Sequence, residues 1–266
     1  MLMPKPELAE QQPSRTLAKG LLILEAFSIH KPQWGVRELA RELDMSPATV
    51  ARLLATLQNM GYLEQFSGTQ QYRLGPMAMR LGNIYAHHNP LPTQAQNIFE
   101  QYVDRFAYNF YLGILDRDEV IYLAALDGRG PIKVVVSPGG ATGLHSTALG
   151  KVLLAYQGND YIRQIINSGL GTHTPHTVTN SQDLWAQIDE IRAVGYAINI
   201  GEQFEDIGAV GVPVRNTYGD VVAGVSLAYP QVLIQNGNLD LAEIIELAKE
   251  VGHAITALKL DGNVIR

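Results

Sequence analysis

The sequence predicts an α+β fold in two parts: an N-terminal winged helix-turn-helix and a larger C-terminal domain of antiparallel strands flanked by helices. Three observations predict it. Residues 35–65 hold two short amphipathic helical stripes joined by a tight turn. A hairpin signal follows them directly. Beyond residue 109, strand-like runs exchange with helical stripes in an order that suits a sheet covered by helices. At 266 residues the chain has room for one small and one medium domain.

Residues 1–14 read as a disordered tail rich in Pro, Gln and Glu, without enough apolar surface to pack. The segment TLAKGLLILEAFS then predicts a first helix, with Leu17, Leu21, Leu24 and Phe27 on one face and Leu22 and Ala26 on another. Two apolar faces on so short a helix suit one contact with the helix pair and another with a partner chain; complete burial inside one domain is the alternative. Val36, Leu39, Ala40 and Leu43 give the next helix its stripe, and Asp44-Met45 turns the chain. Ser46 is a good N-cap, and Pro47 fits the first helical position, where a missing N–H goes unused anyway. Val50, Leu53, Leu54 and Leu57 repeat the stripe. Ala48, Arg52, Ala55 and Asn59 then point outward, with Thr49 and Thr56 on the flank. That outer side is small, polar and singly basic, which suits approach to base edges and phosphates in a DNA groove. Tyr62-Leu63-Glu64 and Gln71-Tyr72-Arg73-Leu74 form the hairpin around Ser67-Gly68-Thr69. The winged helix therefore spans 15–75, with Ser46, Ala48, Thr49, Arg52 and the wing's Arg73 as its expected DNA contacts.

Gly75-Pro76 punctuates, and residues 76–92 read as a linker helix stopped by Pro90 and Pro92. In 93–266, QAQNIFEQYVDRFAYN is amphipathic, NFYLGILD and EVIYLAAL are strands, and PIKVVVS is a third strand leading into Pro138-Gly139-Gly140. Helices HSTALGKVLLAY, NDYIRQIINS and a longer one capped near Asn180 follow. YAINI, AVGVPVR and VVAGVSLAYP are strands, the last two joined by the Asn216–Asp220 turn, and LDLAEIIELAKEVGHAITALKL is the closing helix.

The formal charge of −6 divides unevenly. Residues 1–82 hold 9 basic and 7 acidic side chains, whereas the remainder holds 11 and 19. Nucleic-acid attraction needs local positive charge, so the N-terminal part alone suits it. No apolar run approaches the ~18–20 residues of a membrane span, and the first residues do not resemble a signal peptide. The expected compartment is cytoplasmic. Zero cysteine excludes disulfides, thiolate nucleophiles and cysteine-bound zinc.

The chain resembles the IclR family of bacterial transcription regulators. TLAKGLLILEAF, VRELARELDMSPATVARLLATLQNMGYLE, YRLGPMAMRLG, LHSTALGKVLLA, IRAVGYAIN and VGVPVRNTYGDVVAGVSLAYP carry the resemblance. It implies a GAF-like, effector-binding C-terminal domain, assembly as a dimer or dimer of dimers, and control of genes for the catabolism of small organic acids. It also implies that the effector's acidic group is received by backbone amides of Ala148 and Leu149, a helix N-terminus being a natural anion site. The facing positions map to Asn199, Ala209, Ser226 and Ala228. Three of these, Asn199, Ala209 and Ala228, depart from relatives that carry an acid, a cysteine and a second serine there. Asn199 and Ser226 remain as polar side chains, with Val134, Val136 and Leu144 as apolar walls. Since burying a ligand's polar group unpaired costs roughly 1–3 kcal/mol, the expected effector has a sizeable apolar body, such as an aromatic ring, and one anionic end. Ala148, Leu149 and Ala209 also suit plain core packing, Ser226 a backbone bond, and Asn199 a strand end.

Rival readings are weaker. His173-Thr174-Pro175-His176, with His145 and His253 elsewhere, lacks the converging ligands of a zinc site, so no metal or other cofactor is expected. Glu202, Glu205 and Asp206 read as a solvated acidic loop. No GxSxG elbow, phosphate loop or dinucleotide fingerprint appears, and the chain is not expected to be an enzyme. A ligand-converting enzyme, or a winged helix that binds protein, is the alternative.

Overall fold

The computed structural model describes residues 14–28, 31–103, 108–128, 130 and 136–258. The chain divides into two compact units between His87 and His88. The first contains α1 (Arg15–Glu25), α2 (Val36–Glu42), α3 (Pro47–Asn59), β1 (Leu63–Gln65), β2 (Tyr72–Leu74) and all but the last residue of α4 (Pro76–His88). Leu39 and Ala40 meet Val50, Leu53 and Leu54 over Ile23, and Trp34, Leu63 and Tyr72 complete this core. Asp44 enters the left-handed region at φ 47°, which short polar side chains tolerate. Ser46 then accepts from the Thr49 amide at 3.2 Å and starts α3. The sequence did not suggest that Trp34 pairs with Tyr72. That bridge ties the chain ahead of α2 to the wing, and the Trp34 indole N–H donates to the Ala26 carbonyl at 2.9 Å.

Helix α1 divides its apolar side chains differently from the expectation. Ile23 is fully buried, and Leu24, Ala26 and Phe27 pack beside it. Leu17, Leu21 and Leu22 are exposed. Complete burial of this helix is therefore not seen.

The second unit opens with α5 (Leu91–Val103). Pro90 and Pro92 are thus a stop and a restart, because proline in a first turn removes no helical hydrogen bond. Next come β3 (Asn109–Asp116), β4 (Glu119–Leu126) and β5 (Ala141–Thr142). Most of the expected strand PIKVVVS, residues 131–135, lies outside the described residues, and β5 is the segment that pairs with the far side of β4. Helices α6 (Ala148–Ala155), α7 (Asn159–Asn167) and α8 (Ser181–Val194) follow, then β6 (Ala197–Ile200), β7 (Ile207–Arg215) and β8 (Val221–Pro230). The short α9 (Gln231–Gln235) and the long α10 (Leu241–Thr256) come last.

The six strands form one antiparallel sheet in the order β5-β4-β3-β8-β7-β6. Alternation of side chains sends Phe110, Leu112, Val210, Val212, Val225 and Leu227 to the layer of α5 and α10. The opposite face carries Tyr111, Tyr122 and Ala228 against α6, α7 and α8.

Helix α6 lies unusually close to that second face, and three glycines allow it. A Cβ at Gly211 would stand 2.5 Å from the Ala148 carbonyl oxygen. At Gly113 and Gly224 it would stand 2.8 and 2.7 Å from the two Leu149 methyls. Missing side chains on three neighbouring strands thus make a seat for the first turn of the helix.

Candidate functional site

On the outer side of α3, Ser46, Ala48, Arg52, Ala55 and Asn59 are exposed and Thr49 is half-buried. The Ser46 and Thr49 hydroxyls sit 2.8 Å apart. Arg52 has no ion-pair partner among the described residues, so its charge is free to meet a phosphate or a guanine. The wing's Arg73 is placed otherwise. It is exposed, but its guanidinium donates to Glu64, its cross-strand neighbour, at 2.9 and 3.1 Å and stacks on Phe66. Ala48 and Arg52 therefore share the exposed side of α3, with Ser46 at its start and Thr49 on the flank, whereas Arg73 on the wing is already paired.

The expected effector residues gather at the first turn of α6. Thr147 caps this helix by accepting from the Gly150 amide at 2.9 Å. The amides of Ala148 and Leu149 precede Gly150 and have no partner inside the helix. On the sheet face below, Asn199, Ala209, Ala228 and Asn109 are neighbours across β6, β7, β8 and β3. The next row on the same side is Ala197, Gly211, Ser226, Tyr111 and Ala125. Leu144, Ala148, Leu149 and Ala228 belong to one buried cluster, with Val136 and Ala209 packed against it. Val134 lies outside the described residues.

Polar groups on this floor differ in what they meet. Ser226 is a largely buried residue, and its hydroxyl makes no hydrogen bond among the described residues. Asn199 is fully engaged: its amide nitrogen donates to the Ser146 carbonyl, and its oxygen accepts from the Glu202 amide at 3.3 Å. The Ser146 hydroxyl donates to Gln203 at 2.5 Å.

Two tyrosines that sequence reasoning overlooked complete the floor. Tyr111 and Tyr122 meet edge to face with centroids 5.6 Å apart. Burial pushes the Tyr111 hydroxyl up and that of Tyr122 to about 12, so both stay neutral at any physiological pH. The alternation of NFYLGILD places Tyr111 on one side with Asn109 and Gly113, and Tyr122 lies in the next strand, EVIYLAAL.

The acidic-loop reading is corrected at one residue. Glu205 and Asp206 are exposed, but Glu202 is buried and forms an ion pair with the equally buried Lys151 of α6. Burial lowers the Lys151 ammonium, and the neighbouring Glu202 carboxylate opposes that shift. Glu202 is 51 residues from Lys151, too far apart in sequence for any local spacing rule to join them.

Among the described residues no three His, Asp or Glu side chains gather into a metal-binding group. His145 bonds the Gly171 carbonyl at 2.8 Å, and its ring lies 5.9 Å from that of His173. Burial holds its pKa below the ordinary histidine range, with the Gly171 bond opposing. The unfolded chain therefore takes a proton at this residue first, near pH 6.5. Stability is expected to fall as pH drops from about 6.5 toward the lower folded value. Urea unfolding of wild type and His145→Gln across that window checks this, the variant showing the shallower slope.

Residues 83–257 match the family of bacterial transcriptional regulator IclR C-terminal domains, and residues 16–66 match the IclR helix-turn-helix domain. The HTH-type transcriptional regulator KdgR of Dickeya chrysanthemi is 30% identical over 217 residues, spanning 81% of this chain and 71% of that one. Among solved structures, an IclR transcriptional regulator from Alicyclobacillus acidocaldarius superposes with a TM-score of 0.82 at 27% identity, covering 94% of this chain and all of the other. An IclR homolog from Microbacterium hydrocarbonoxydans, complexed with 4-hydroxybenzoate, shares the fold at a TM-score of 0.75 and 20% identity, over 91% and 98% of the two chains. With both domains matched and the winged-helix and sheet units in place, the chain belongs to the IclR family of DNA-binding bacterial transcriptional regulators.

Proposed function

We infer that this regulator controls a catabolic operon from the cytoplasm by binding its operator, and that a small aromatic acid alters the occupancy. The effector would lie on the sheet face beside α6, its carboxylate on the Ala148 and Leu149 amides. The observation that carries this reading is the Ser226 hydroxyl, which makes no hydrogen bond among the described residues and lies one register row from Ala209 and Ala228. The Tyr111–Tyr122 pair favours a ring, since edge-to-face aromatic contacts add about 0.5–1.5 kcal/mol beyond burial. That a homolog of the same fold was solved with 4-hydroxybenzoate supports the ligand class. Val136 and Leu144 supply walls, and Val134 is retained as a proposed wall from the sequence. Asn199 acts by holding the neighbouring backbone rather than by touching the acid.

Calorimetric titration with benzoate, 4-hydroxybenzoate, 4-hydroxybenzamide and glyoxylate tests the reading. The two aromatic acids are expected to bind and to change the protein's affinity for DNA upstream of its neighbouring operon. Tight binding of glyoxylate without binding of either aromatic acid overturns it. The ligand is expected to be recovered unchanged, since the protein works by binding and not by turnover.

At the DNA, α3 enters the major groove with Ser46, Ala48, Thr49 and Arg52 toward the bases and phosphates. Arg73 reaches a phosphate by exchanging Glu64 for it. Arg52→Ala is expected to weaken operator binding by about 1–3 kcal/mol, read by fluorescence anisotropy at fixed salt; an unchanged footprint contradicts the assignment. Exposed Leu17, Leu21 and Leu22, with Met79, Leu81 and Ile84 on α4, support self-association of the N-terminal unit.

A further inference from the structure

Lys151 and Glu202 form the one ion pair among the described residues in which both side chains are buried, at 1% and 7% exposure. Such a pair is a poor stabiliser, because desolvating two charges offsets most of their attraction and apolar residues of similar volume do as well. Its use lies in what it holds. Lys151 is in the second turn of α6, and helical side chains tilt back toward the helix N-terminus, here the end bearing Ala148 and Leu149. Glu202 sits at the corner between β6 and β7. Its second carboxylate oxygen accepts from the Val178 amide at 3.4 Å, and its carbonyl accepts from the Thr177 hydroxyl at 2.7 Å. Its own amide donates to Asn199, which donates to the carbonyl of Ser146, the residue just before the α6 cap. The bonds therefore close a ring, from α6 through Lys151, Glu202 and Asn199 back to Ser146. The corner has no slack. Gly201 turns at φ 72°, and a Cβ there would meet the Gln231 amide nitrogen at 2.7 Å and the Glu205 carbonyl at 2.9 Å.

From this closed ring we propose that Lys151 and Glu202 are positioning residues of the effector site, clamping the first turn of α6 to the β6–β7 corner so that the Ala148 and Leu149 amides stay aimed at an incoming acid. The proposal rests on the reading that these amides receive the effector. It adds that their aim is set by two charges that never touch the ligand.

The test uses the full-length protein and the variant Lys151→Met/Glu202→Leu, which removes both charges at similar volume. Amide hydrogen exchange reads the clamp without any effector. Residues 144–150 and 199–203 are expected to exchange at least tenfold faster in the variant, with β3 and β8 unchanged. The Kd for 4-hydroxybenzoate is expected to rise at least tenfold. Unchanged exchange in those two segments overturns the proposal. So does acceleration spread evenly over the sheet, which marks a general stabiliser, and so does faster exchange with a wild-type Kd. If the wild-type protein binds no aromatic acid, the ligand reading fails by itself and the exchange comparison decides the clamp alone. If the double variant does not fold, Glu202→Gln, which keeps an acceptor for the Val178 amide, is expected to loosen the same segments to a smaller degree.

Discussion

Lys151→Met is expected to destabilise the C-terminal unit by about 3–5 kcal/mol, the usual consequence of removing one partner from a buried ion pair. Methionine fills much the same volume, so the loss is electrostatic. It arises because Glu202 keeps its buried site without its countercharge. The Val178 amide still reaches one carboxylate oxygen, which softens the penalty without cancelling it. Denaturant unfolding of the single variant, with the double variant alongside, measures the loss. A double variant as unstable as the single one would assign the loss to packing instead.

Gly211→Val is expected to cost about 3 kcal/mol, at the upper end for overpacking, and to abolish any response to an aromatic acid. Local preference points the other way, because glycine weakens a strand interior and valine favours it. Sterics decide. The new Cβ would stand 2.5 Å from the Ala148 carbonyl oxygen, 2.7 Å from its carbon and 3.1 Å from the Leu149 nitrogen. All three are backbone atoms of α6, so no rotamer relieves the contact and the helix must move by about 1 Å to regain ordinary separation. Those are the peptides proposed to receive the effector. Thermal unfolding together with titration of 4-hydroxybenzoate reads the two effects, and operator binding by the separate N-terminal unit should survive. Near-wild-type stability would mean that α6 does not rest on β7 as described.

Local patterning made most of the elements readable. The paired stripes of α2 and α3, the Ser46-Pro47 start and the β1–β2 hairpin each follow from residues within a few positions of one another. The same holds for β3 and β4, whose alternation is plain. Pro90 and Pro92 misled because two prolines resemble one long stop, whereas the second sits in a helical first turn. The exposure of Leu17, Leu21 and Leu22 was only half legible, since periodicity gives faces but not what covers them.

The site was less legible than the fold. The family resemblance offered a proposed floor residue by residue, yet Tyr111 and Tyr122 were passed over, because alternation gives the side of a strand but not what covers it. Lys151 went unnoticed, and Glu202 was read as part of a solvated loop, for another reason. A buried lysine within an apolar helix reads as a solvated end, and a glutamate near other acids reads as a loop, until folding brings the two together.

The glycine seat under α6 also bears on how such a receptor can change over generations. Gly211 is closed to larger residues because an added carbon meets the α6 backbone, whereas at Gly113 and Gly224 it meets the Leu149 methyls. Ser226 is the register partner of Gly211, and Ala209 and Ala228 form the next row. Main-chain N–H donors, as proposed for the acid, ask nothing of side-chain identity, so new ligand preferences lie within single-codon reach of an unaltered scaffold.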